Sequence, residues 1–199
     1  MWKEAMMMDS NSSGKVPYRL SSLNVGQATL EWLEKRGVSI REIGELVLFL
    51  QQGYFPDLTI EECEQSVKKV LMKREVQNAL LTGVQLDILA EQRQLISPLQ
   101  EMIENDEGLY GVDEILAFAI VNVYGSIGFT NYGYIDKLKP GVLGRLNDKS
   151  LGPIHTFFDD IVGAIAAAAS SRIAHGRRME QELHQDTGSM ELPEDDETK

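Results

Sequence analysis

The chain has 199 residues, 43% hydrophobic and 25% charged, a composition that belongs to a globular protein and excludes a disordered or fibrous one. Its formal charge of −12 argues against nucleic acid as a partner, since such binding works by neutralising phosphates, and the single cysteine, Cys63, excludes an internal disulfide framework or a Cys-rich zinc site. The longest apolar run, Ile161 to Ala169, is nine residues against the roughly 20 that span a bilayer, and the start MWKEAMMMDS lacks the apolar core of a signal peptide, so a cytoplasmic protein is expected.

The charge is uneven along the chain. From Glu180 to Lys199 there are eight acidic residues and one basic, so this stretch carries −7 of the −12. With few large apolar groups, residues 179–199 read as a disordered acidic tail and residues 1–20 as a flexible N-terminal segment, which leaves a single all-α domain over 21–178.

In chain order, Ser39 with Glu42 forms a capping box, and Ile43, Leu46, Val47 and Leu50 fall on one stripe behind it. Thr59 with Glu62 repeats the signal, with Cys63, Val67, Val70 and Leu71 on one face. Arg74 to Glu91 carries Val76, Leu80, Val84 and Ile88 at intervals of four. Pro98 starts a short helix before the turn at Asp106 to Gly111. Val112 to Tyr124 is apolar on every side from Leu116 to Val121, which predicts a buried central helix. GSIGFTNYGYIDKLKPG reads as a loop too rich in glycine and polar groups for a simple connector, and Gly128 to Ile135 or Tyr110 to Asp113 are the places where a short strand would hide. Thr156 to about His175 forms the last of about seven helices. Gly163, Ala167 and Ser171 lie four apart along one of its faces, which invites close approach of another backbone; a two-fold homo-oligomer through this face is the expected assembly.

Three acidic groups lie at or beside the apolar scaffold: Asp113 with Glu114, Asp136, and Asp159 with Asp160. Phe157 and Phe158 precede the last pair and Ile161 and Val162 follow it, so at least one of its carboxylates faces protein, where an unpaired charge is costly. Neighbours on a helix point about 100° apart, so a pair needs carboxylates from another segment to close on one ion. Oxygen-only ligands suit Mg²⁺ or Mn²⁺. The alternative is capping: Thr156 with Asp159 fits a helix start, and Asp113 fits an N-cap. Asp136 with Lys137, Lys139 and Pro140 sets a carboxylate and two ammonium groups at a rigid turn, which suits metal and phosphate together or, alternatively, a surface ion pair. Cys63 lies on an apolar stripe and is read as core. His155 is four residues before Asp159, either as a base or in a surface or capping role. Phe129, Tyr132 and Tyr134 are read as packing before a lipid-binding wall.

Asp113-Glu114, then Asp136-Lys137-x-Lys139-Pro140, then Asp159-Asp160-Ile161-x-Gly163-Ala164 together resemble the successive motifs of the phosphatidylglycerophosphatase A family, and the whole chain is similar to its soluble Gram-positive branch. The resemblance implies Mg²⁺-dependent removal of the terminal phosphate from phosphatidylglycerophosphate. It implies Asp113, Glu114, Asp136, Asp159 and Asp160 as metal ligands and Lys139 with Lys137 as phosphate contacts; Asp136, Asp160 and Lys139 are the candidate catalytic groups, and Asn131 is a further candidate substrate contact. The implied partner is a lipid head group or a phosphorylated small molecule, with contact at the membrane surface and no spanning segment. Departures exist: Tyr132-Gly133-Tyr134-Ile135 precede Asp136 where family members carry an aromatic-Arg pair, and Gly163-Ala164 inverts the usual order. The rival class is a non-catalytic oligomeric helical module that keeps a metal-binding core.

Overall fold

The computed structural model describes residues 21–188. Among them there is no strand and there are nine α-helices: α1 (Ser22–Lys35), α2 (Ile40–Gln51), α3 (Ile60–Leu71), α4 (Arg74–Glu91), α5 (Leu99–Asn105), α6 (Val112–Val121), α7 (Gly125–Leu138), α8 (Val142–Leu146) and α9 (Phe158–Gly188), with single 3-10 turns at Asn122–Tyr124 and Lys149–Leu151. The all-α reading holds, with the short α8 and the helical form of α7 making up the difference in number. Both capping boxes close: Ser39 Oγ accepts from Glu42 N–H at 3.2 Å while Glu42 Oε2 accepts from Ser39 N–H at 2.8 Å, and Thr59 with Glu62 repeats the exchange. Each satisfies two N–H groups that the helix itself leaves free.

A buried central helix exists, but it is α9. From Phe157 to Val162 and from Ala164 to Ala169 every apolar side chain is fully buried, and α2, α3, α4, α6 and α7 all pack on it. Helix α6 was expected in that place and instead buries one side only, through Asp113, Ala117, Ile120 and Val121, while Ile115 is 64% exposed. An all-apolar stretch is compatible with either position, and α9, longer and poorer in bulky groups, lets five neighbours approach at once.

The segment read as a loop is α7. Its glycines mask a helical period: Gly128, Tyr132 and Ile135 form the buried face, Tyr132 and Ile135 against Gly163 of α9 and Gly128 against Val121 and Tyr124. Gly125, at φ +72°, lets the chain reverse between α6 and α7, a conformation other residues rarely adopt. The Phe118 ring therefore meets Phe129 at 5.5 Å and Tyr132 at 5.6 Å. Residues 112–138 are long enough for a membrane span, 27 residues with an 18-residue window of mean hydropathy 1.4, but that ring contact, across fourteen positions, shows two short antiparallel helices.

The small-residue face of α9 is used inside the chain. Ala167 is fully buried, Ser171 Oγ donates to Tyr124 C=O at 2.8 Å, and Ser66 Oγ donates to Ala169 C=O at 2.9 Å. This face is not available to a second subunit, which removes the route to assembly expected from it. Close approach occurs elsewhere: a Cβ added at Gly83 of α4 would lie 2.3 Å from Ile161 Cδ1, whereas one added at Gly163 would meet only ordinary contacts at 3.7 Å. Helix α9 also runs ten residues past the expected domain end at 178, where Glu180, Gln181, Glu182, Leu183 and Gln185 are good helix formers. The expected flexible segment 1–20 and residues 189–199 of the tail lie outside the described residues.

Candidate functional site

Three helix ends meet in one cleft of about 190 Å³. The first turn of α6 supplies Asp113 and Glu114, the last turn of α7 supplies Asp136, and the first turn of α9 supplies Asp159 and Asp160; all five line the cleft together with Lys139. The reversal at Gly125 is what brings the start of α6 and the end of α7 to the same place. Lys139 ends α7 in the left-handed conformation, φ +44°, ahead of Pro140, which cannot continue the helix.

The lysine turns back into the acidic group. Its Nζ lies 2.6 Å from Asp136 Oδ1, 2.8 Å from Asp159 Oδ2 and 3.4 Å from Asp160 Oδ1. Three carboxylates raise the pKa of this ammonium although burial alone would lower it. Burial, with Asp113's first-turn N–H bond opposing it, leaves the Asp113 pKa raised. Asp159 is pushed up to about 6 and Asp160 to about 8, in both cases chiefly by burial, and for Asp160 next by the charge of Asp159 beside it. The buried Tyr132 hydroxyl faces the same group; burial and the charges of Asp160 and Asp136 hold its proton on, and it completes no well-formed hydrogen bond.

The capping reading is settled by geometry. Asp113 Oδ1 accepts from Glu114 N–H at 2.9 Å and Asp159 Oδ1 from Asp160 N–H at 2.8 Å, so each first-turn aspartate keeps its other oxygen for the cleft. Thr156 does not cap α9: its Oγ1 donates to Ile103 C=O at 2.7 Å. The cap comes from α4, where the fully buried Asp87 accepts from Phe157 N–H at 3.1 Å through Oδ1 and from Phe158 N–H at 3.0 Å through Oδ2.

Lys137 is exposed and does not line the cleft, and Asn131 lines a separate pocket with Tyr54, Ile127 and Thr130. His155 is no base for the cleft. Its Nδ1 accepts from Arg36 at 3.0 Å, and burial first, then the Arg36 charge, lowers its pKa to about 4. Cys63 is buried in the core, as read. The motifs did not point to Asp106, Glu107, Gly108, Gly111, Asn147 and Thr156; of these the cleft shares Asp106, Asn147 and Thr156, with Asp159, with a neighbouring polar pocket of about 310 Å³.

Among the described residues no three Asp, Glu, His or Cys side chains are set around a common point for a metal ion; the common point of Asp136, Asp159 and Asp160 is the Lys139 ammonium. The donor set nonetheless fits a hard divalent cation, being all carboxylate oxygen.

An all-helical domain with buried carboxylates and one lysine gathered at three helix ends defines a class of acidic-cleft helical proteins. Residues 30–175 match the family Phosphatidylglycerophosphatase A, and the chain belongs to that family. It is similar to YutG of Bacillus subtilis, 69% identical over 146 residues that are 73% of this chain and 88% of that one. Among solved structures it is similar to YpjQ of Bacillus subtilis, 52% identical at a TM-score of 0.77 over 80% of this chain and 98% of that one. The low temperature requirement C protein of Listeria monocytogenes is 63% identical at a TM-score of 0.76, over 77% and 97% of the two chains.

Proposed function

We propose that this chain is a Mg²⁺-dependent phosphatase that hydrolyses a phosphomonoester, and that its substrate is phosphatidylglycerophosphate, which it converts to phosphatidylglycerol. The observation that carries the reading is the convergence of Asp113, Asp136, Asp159, Asp160 and Lys139 on one cleft from three separate motifs. Family membership supports the reaction class. Asp113, Glu114, Asp136, Asp159 and Asp160 are the groups that would hold Mg²⁺ or Mn²⁺, which supplies Lewis acidity and activates water. Held by the carboxylates when the ion is away, Lys139 turns to the phosphate when the carboxylates have another cation. Asp160, which burial and the charge of Asp159 keep protonated in the metal-free cleft, would give up that proton on taking the ion. The neighbouring polar pocket, reached past Asn147 and Thr156, receives the hydroxylated part of the leaving group. Val112 and Leu138, exposed beside Asp113 and Lys139, give the lipid an apolar edge to lie against, so the protein works from the cytoplasm at the membrane surface.

The test is phosphate release from phosphatidylglycerophosphate in mixed micelles, from glycerol 3-phosphate and from phenyl phosphate, each with Mg²⁺ and with EDTA. Mg²⁺-dependent release from the lipid above the soluble esters is the expected result. Preference for a soluble ester would move the substrate out of the lipid class, and no release from any would leave a non-catalytic helical module.

A further inference from the structure

We infer that Arg36, Asp87 and Glu91, none of which lines the acidic cleft although Glu91 borders the neighbouring polar pocket, form a clamp that positions Asp159 and Asp160, with Asp87 its central residue. The activity readout below rests on the phosphatase reading; the binding readout does not need turnover.

The clamp holds the five residues that lead into the aspartate pair. Asp87 uses both oxygens on consecutive N–H groups, Phe157 at 3.1 Å and Phe158 at 3.0 Å, across seventy positions of sequence. One turn further along α4, Glu91 Oε1 accepts from Ile154 N–H at 2.9 Å and from Arg36 Nη1 at 2.8 Å. Arg36 Nη2 donates in turn to Ile154 C=O and to His155 Nδ1. On the far side of the pair, Gly83 of the same helix leaves no slack toward Ile161. Helix α4 therefore grips α9 immediately before and immediately after Asp159 and Asp160.

A helix start needs no such device for stability alone. A serine or threonine at position 157 would cap locally with a neutral hydroxyl, and Thr156 is turned to Ile103 instead, whereas Asp87 brings a further negative charge into the interior near Asp159, against burial and repulsion. What the distant carboxylate adds is direction: the first turn of α9 is tied to α4 and α1, so its two carboxylates cannot rotate about the helix axis or slide along it. Side chains that must meet one ion and one phosphate tolerate little displacement, and groups that orient ligands without touching the ion typically matter about 10–100-fold.

The experiment compares wild type, Asp87→Asn and Glu91→Gln as purified proteins, each confirmed folded by circular dichroism and melting above assay temperature. Asp87→Asn keeps the shape but sets an amide donor against an N–H. The expected result is a loss of about 10-fold or more in kcat with KM changed less than about twofold, and Mn²⁺ binding by calorimetry weakened to a similar degree. Glu91→Gln, which keeps an acceptor for Ile154 and loses the charge toward Arg36, shows the same pattern at smaller size and carries the test if Asp87→Asn does not fold. Variants that melt earlier yet keep wild-type kcat and Mn²⁺ affinity overturn the inference, leaving the three residues structural. A wild type that binds Mn²⁺ but releases no phosphate sinks the phosphatase reading and leaves the binding comparison to judge the clamp; a wild type that does neither removes both.

Discussion

Lys139 Nζ stands 2.8 Å from Asp159 Oδ2, twenty positions away in sequence, so the lysine that the phosphate motif supplies is held by the carboxylates that the next motif supplies. The two roles proposed for them, cation holder and anion holder, would thus be in direct competition. Where one partner of such a group is removed, the cost of the other's unpaired charge dominates.

Lys139→Met follows from this. Without the ammonium, Asp136, Asp159 and Asp160 lose their shared counter-charge, so the melting temperature in EDTA should fall. Mg²⁺ should then raise it by more than it raises the wild type, because no internal cation competes for the site. Differential scanning fluorimetry across a Mg²⁺ series checks this; equal Mg²⁺ responses would mean that the ion and the lysine do not share a position.

Asp160→Asn tests the pair itself through pH. A carboxyl whose folded pKa is raised to about 8 binds its proton more tightly folded than unfolded, so it supports stability fully below the ordinary carboxylate range. That support drains away as pH rises through about 8. In EDTA the variant should therefore gain on the wild type steadily from pH 4 to above pH 8, while losing most of the stabilisation that Mg²⁺ or Mn²⁺ gives. Urea midpoints over that pH range report the gain, and a flat difference would show that Asp160 is ionised with ease.

His155 has the opposite sign. With its pKa lowered to about 4 by burial and by Arg36, it stays neutral in the fold, so the unfolded chain takes up the extra proton once pH drops below about 6.5. Its contribution is present above that value and is lost as pH falls toward 4. Replacing it by Gln, which keeps an acceptor for Arg36, should reduce the acid-side loss of stability between pH 6.5 and 4, measured as the wild-type minus variant difference in urea midpoint.

Two glycines should respond in opposite directions. At Gly83 any side chain runs into Ile161 and Phe157, and Gly83→Val should cost about 1–3 kcal/mol or more. At Gly163 a methyl meets only ordinary contacts in a helix interior, so Gly163→Ala should stabilise by about 0.5–1 kcal/mol. Chemical denaturation of both variants decides it, and a loss at Gly163 as large as that at Gly83 would contradict the packing described.

What could be read from the chain depended on whether the signal was local. The capping boxes at Ser39 and Thr59 and the stripe of α4 are set by residues within one or two turns of each other, and they formed as spacing predicts. Helix α7 was hidden because glycine and polar residues outnumber the three that bury, and only Tyr132 and Ile135 carry the period in large side chains. The choice between α6 and α9 as the centre depends on what packs around each, which no single stretch records. The motif aspartates are legible as chemistry, and the fold brings them to one cleft; Lys137 follows Asp136 directly, and the 100° step between helical neighbours turns it elsewhere, while Asn131, five positions before Asp136 on α7, faces a separate pocket. Asp87 left one usable trace: it falls at i+7 from Leu80 and i+3 from Val84, an acidic residue on an apolar stripe, and an acid there needs a partner.

The first turn of α9 carries Asp159 and Asp160 while the next three turns are the middle of the core. Segments of this kind exchange their amide hydrogens slowest, because exposing them requires the whole domain to open. Residues 160–169 are therefore expected among the most protected of the described residues, and the Asp159–Asp160 end of the cleft has no private, low-energy opening of its own. Across from it the turn from Asp106 to Gly111 borders the same cleft with little buried of its own, Leu109 being 94% exposed, and faster exchange is expected there. Exchange that is fast there and slow at α9 would describe a cleft with one fixed wall and one yielding wall.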